Sequence, residues 1–131
     1  MNSEEINNGW LKEQWCIDLN WYQSNGCSFL TIAQNYLCPK CRKRLKKETK
    51  SEDIIKTAST CCSRKDDFIR SDMPVMSSVF RYFLGNRNQP VELETLSKEL
   101  SERRGTSAGT SPEVLHRLLI NDRYYGLRKL T

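Results

Sequence analysis

Cys38-Pro39-Lys40-Cys41 opens, and Cys61-Cys62 closes, the stretch on which the fold turns. Two cysteines two residues apart on a tight turn can aim both sulfurs at one metal, with backbone amides directed at the thiolates. The second pair follows after 19 intervening residues, within the range of zinc modules whose halves are joined by a helix or hairpin. Cys38, Cys41, Cys61 and Cys62 are therefore the expected ligands of one zinc ion. Adjacent cysteines depart from the usual two-residue spacing, and Cys27 is the reserve ligand should Cys61 or Cys62 point elsewhere. Cys16 lies in an apolar stretch and reads as a small buried hydrophobe. Four thiolates fill a tetrahedral site and leave no position for water, so the expected role is structural. It would supply stability that the few apolar side chains between Cys27 and Asp67 do not. The same sulfurs also suit an iron–sulfur cluster, or a redox dithiol at Cys38 and Cys41.

Working outward, Ser51 with Glu52 and Asp53 marks a helix start, acids suiting the positive helix end. Ile54, Ala58, Cys61 and Cys62 then share one face, so a helix over 51–62 would carry the second pair back to the first. Upstream, Asn25-Gly26 is a turn signal. Ser28 can cap a helix bearing Phe29, Ile32, Ala33 and Tyr36, which Pro39 ends. Residues 9–22 fit two periods. Trp10, Ile17 and Trp21 share a helical face, yet Trp15, Ile17, Leu19 and Trp21 alternate as in a strand. Length and the lack of turn signals favour a mostly buried helix there. Ser63–Pro74 is polar and reads as a linker with Phe68 and Ile69 docked.

From Val75 the pattern becomes three helices with short connections. Val75, Met76, Val79, Phe80, Phe83 and Leu84 stripe the first, and Leu93, Leu96 and Leu100 mark the second, ending before Gly105. Ser111-Pro112-Glu113 starts the third: a capping hydroxyl, a proline at the first helical position, then an acid. Val114, Leu115, Leu118 and Leu119 form its inner face, and residues 124–130 follow as a strand. This run resembles a winged-helix or helix-turn-helix domain, lacking room for a two-strand wing at its end. The resemblance implies a third helix that enters the major groove, with Arg117 and Asn121 on base edges and Arg103 and Arg104 on the backbone. The expected fold is thus mainly α, with a helical Cys-rich module over 1–74 and a winged-helix-like unit with short strands over 75–131.

The 131 residues carry 21 Lys and Arg against 16 Asp and Glu, a formal charge of +5. By segment the net charge is −3 over 1–37, +5 over 38–74 and +3 over 75–131. Seven basic residues crowd Lys40–Lys50, and Lys43, Arg44 and Lys47 among them form a patch suited to phosphates. No stretch approaches the roughly 18 consecutive apolar residues of a membrane span. The polar, acidic start is unlike a secretory signal, so a reducing, cytoplasmic setting with metal-bound cysteines is expected over disulfides. No Gly-rich phosphate loop and no nucleophile–base set around the single histidine, His116, points to an enzyme. The expectation is a small DNA-binding transcriptional regulator with structural zinc. The competing class is an assembly module whose aromatic N-terminal helices, holding Trp10, Trp15 and Trp21, dock a protein partner. A third is an iron–sulfur or thiol redox sensor.

Overall fold

The computed structural model describes residues 9–130. It is mainly helical, with a small antiparallel sheet. After a 3-10 turn at Gly9–Lys12 come strand β1 (Gln14–Ile17) and helices α1 (Leu19–Ser24), α2 (Phe29–Ala33), α3 (Pro39–Arg42) and α4 (Ser51–Thr60). The second half holds α5 (Val75–Gly85), β2 (Val91–Glu92), α6 (Leu93–Arg104), α7 (Pro112–Ile120) and β3 (Leu127–Lys129).

The continuous helix expected over 9–22 is not formed. Its middle is β1, the central strand of the sheet β2-β1-β3, antiparallel to both neighbours. The period of two prevails because the partners lie far along the chain. Trp15 faces Val91 and Lys129, and Ile17 faces Leu127. Burying Trp15 and Ile17 on one face leaves Gln14 and Cys16 on the other. Asp18 then caps α1 by accepting from Asn20 N–H. Where β1 runs past the two-residue β2, the side chain of Asn88 takes over. Its Oδ1 accepts from Ile17 N–H and its Nδ2 donates to Ile17 C=O, both at 2.8 Å. Arg87 and Asn88, at φ 63° and 56°, turn the chain to place that amide.

The sheet crosses the expected boundary at 74/75, and both sides feed one core. Phe80, Phe83 and Leu84 of α5, Leu93, Leu96 and Leu100 of α6, and Leu115 and Leu119 of α7 are fully buried. Trp15, Ile17, Ile54 and Ala58 join the same cluster. The strand expected over 124–130 shortens to β3. The Asp122 carboxylate accepts from the N–H groups of Tyr124, Tyr125 and Leu127, folding the first part into a turn. Gly126 completes that turn at φ 70°, where a Cβ would meet the Tyr22 ring at 2.8 Å.

The expected linker is docked, as the burial of Phe68 and Ile69 at 3% and 6% exposure indicates. Arg104 pins its far end. Its guanidinium donates to the carbonyls of Arg70, Ser71 and Met73 and to Ser78 Oγ. Arg104→Ala leaves those acceptors without their donor, and should cost about 2–4 kcal/mol in chemical denaturation at fixed metal loading. Arg103→Ala, one residue earlier and exposed, should stay within about 0.5 kcal/mol in the same measurement.

Candidate metal centre

Cys38 stands at the N-cap of α3 with Pro39 in the first helical position, where a missing N–H costs nothing. One turn of helix brings Cys41 beneath it, buried at 3% exposure. Arg42 ties this turn to the preceding 3-10 turn (Gln34–Tyr36). Its Nε donates to Gln34 C=O at 3.0 Å and its Nη2 to Leu37 C=O at 3.3 Å.

The second pair follows the end of α4, which is two residues shorter than the expected 51–62. On an unbroken helix adjacent side chains lie roughly 100° apart around the axis and face different ways. Cys61 leaves helical dihedrals, at φ −123° and ψ −66°, and the chain resumes as a 3-10 turn over Cys62–Arg64. That break lets both neighbours face the α3 turn. The four sulfurs of Cys38, Cys41, Cys61 and Cys62 lie within 4.8 Å of one another, a set able to hold a metal ion. Cys38 and Cys61 are the pair at 4.0 Å, about twice the roughly 2.0 Å of a disulfide, and all four are free thiols. A tetrahedral ion with bonds of about 2.3 Å holds its sulfurs about 3.8 Å apart, so closure asks for about an ångström at most.

The surroundings already favour thiolate at one corner. The Cys41 backbone N–H, helped by the neighbouring thiols, draws the Cys38 thiol below its ordinary range. Burial pushes Cys41 and Cys62 the other way. Cys38 N–H in turn donates to Cys62 Sγ at 3.2 Å, the kind of amide–sulfur bond that steadies a bound thiolate. A metal entering this site must displace protons from the two buried thiols.

Other residues singled out in the sequence fall into three groups. Cys27 is exposed with its Sγ on Asn25 C=O, outside the cluster, so the reserve ligand is not needed. Cys16 is half-buried on β1 rather than fully enclosed. Lys43, Arg44 and Lys47 are exposed on the segment after α3, and Arg103, Arg117 and Asn121 are exposed on α6, on α7 and just after α7. Arg104 is the correction. At 9% exposure, with its guanidinium held by the 70–78 segment, it is not open to a phosphate backbone. The aromatic N-terminal segment is likewise largely built into the fold: Trp15 is 3% exposed and Tyr22 2%, and Trp10 stacks on His116 at 4.8 Å. Arg81 was not singled out, although a lone cation inside Val79-Phe80-Arg81-Tyr82-Phe83 is a signal in itself.

Among the described residues no helix is long and apolar enough to cross a membrane. Comparison with protein-family models, curated proteins and solved structures finds no match for this chain.

Titration with Co(II) should give thiolate-to-cobalt absorption saturating at one ion per chain. Serine at Cys38, Cys41, Cys61 or Cys62 should weaken binding at least about tenfold, and Cys27→Ser should leave it unchanged. Affinity should climb with pH, since Cys41 and Cys62, whose thiols burial holds protonated, must give up their protons to the metal.

Proposed function

We propose that this chain is a small, non-enzymatic DNA-binding protein of the transcription-regulator type, stapled by one structural zinc ion. The observation that carries the reading is the four-sulfur cluster within 4.8 Å, built from the two ends of a strongly basic segment. Tetrahedral all-sulfur ligation is the geometry zinc takes in structural sites. Sulfurs this close suit a single ion better than an iron–sulfur cluster, whose ligands must spread over several irons. With all four positions occupied by thiolate, no site remains for an activated water, which supports a role in folding rather than catalysis.

The DNA-reading part rests on the C-terminal helices and the sheet. α7 turns Leu115 and Leu119 inward and leaves Glu113, Arg117 and the following Asn121 exposed. Asp122 does not oppose a phosphate there, because its carboxylate is 6% exposed and engaged by three backbone N–H groups. A winged-helix-like arrangement is supported by three helices beside a three-stranded antiparallel sheet. Its middle strand is β1, which pairs with both β2 and β3. Lys43, Arg44 and Lys47 supply phosphate contacts beside the zinc.

An assembly role is the second reading. Ile120 at the end of α7 and Tyr124 just beyond it, 52% and 53% exposed, favour it, whereas the N-terminal aromatics, buried or half-buried in the fold, do not.

Zinc-loaded protein should bind mixed-sequence duplex DNA with log K falling against log salt at a slope of about −3 to −5, reflecting a handful of phosphate contacts. Arg117→Ala should weaken binding about fivefold or more, and Lys43→Glu with Lys47→Glu should flatten the slope. Absence of binding at low salt, or indifference to both sets of changes, would sink the DNA reading in favour of assembly.

A further inference from the structure

We propose that the cavity beside the cysteine cluster is a site for a phosphate-type oxyanion, gripped by Arg81. The cavity, of about 210 Å³, has Cys38, Cys62, Arg70 and Met73 among its lining residues. That is small for an organic ligand but suits a tetrahedral oxyanion with part of its ester group. Four cationic side chains, Arg42, Lys65, Arg70 and Arg81, line it against one carboxylate, Asp67.

Arg81 is the unusual member. It projects from the apolar helix α5 and is only partly accessible, with its guanidinium over the Tyr36 ring at 4.9 Å and the Phe68 ring at 5.5 Å. Its one hydrogen bond is a long one, Nη1 to Phe68 C=O at 3.3 Å, and its buried Nε has no partner. Among the described residues it takes part in no salt bridge. A half-buried cation over two rings without an anion is costly until an anion arrives. Burial and nearby Arg70 both work against its charge, while Tyr36 and Asp67 offset only part of that. Arg42 donates only to backbone carbonyls and has no carboxylate partner among the described residues, whereas Arg70 pairs with Asp72 at 2.9 Å. The guanidinium offers paired donors whose planar fork matches phosphate oxygens, with Lys65 as a mobile second charge.

The site does not depend on DNA binding by α7. Its phosphate can belong to a free phosphate monoester or to the 5′ end of a nucleic acid.

The test titrates inorganic phosphate into zinc-loaded protein in low-chloride buffer, followed calorimetrically. Saturable binding is expected, weakened at least about tenfold by Arg81→Gln and left unchanged by Arg117→Ala. Should Arg81→Gln fail to fold, Lys65→Gln combined with Arg70→Gln, both exposed positions, should weaken phosphate several-fold. Competition by a 5′-phosphorylated oligonucleotide but not its unphosphorylated twin supports the site and assigns the nucleic-acid end. Competition by glycerol phosphate alone supports it and assigns the small ester. Heats that never saturate, or affinity unchanged in the folded variants, overturn the proposal. Because the readout is free phosphate, weakened duplex binding by Arg117→Ala with phosphate binding intact would separate the two sites.

Discussion

Four sulfurs converging on one point set the condition that the rest of the N-terminal half must satisfy. The seven basic residues between Lys40 and Lys50 repel one another, which opposes bringing the two ends of the segment together. Cys38 and Cys41 at one end and Cys61 and Cys62 at the other close this segment into a loop. A metal bound there adds a link that only the folded chain can make. Four thiolates around a divalent ion carry net negative charge, which also offsets the cations massed beside them. A metal bound there would thus help the fold tolerate its positive surface.

The other half is fastened differently. β1 lies between two strands contributed from residues 91 and 127 onward, and Arg104 reaches back from α6 to hold carbonyls of the 70–73 segment. Both devices join distant parts of the chain through backbone groups. Neither involves the four clustered cysteines. Two fastenings, one through sulfur and one through the sheet and the buried guanidinium, therefore meet on a shared apolar cluster.

Much of this was legible in the residues. The four clustered sulfurs follow from spacing, the starts of α4 and α6 from first-turn acids and apolar periodicity, and that of α7 from its capping serine, because those signals are local. What escaped the reading depends on remote partners. Residues 9–22 fit a helical and an extended pattern, length favours the helix, and only remote partners such as Val91 and Leu127 select the strand at 14–17. Arg104 looks like any surface arginine at a helix end until the carbonyls of residues 70, 71 and 73 are placed around it. The break at Cys61 escaped for a similar reason: nothing in Thr60-Cys61-Cys62 marks a helix end except the need for two neighbouring sulfurs to face one way.

Asn88 leaves a mark on the solution behaviour of the sheet. A strand that outruns its neighbour normally leaves bare amide and carbonyl groups for a foreign chain to zip onto. By closing both hydrogen-bonding groups of Ile17 with one side-chain amide, this residue acts as a one-residue false strand and blocks that route to intermolecular pairing.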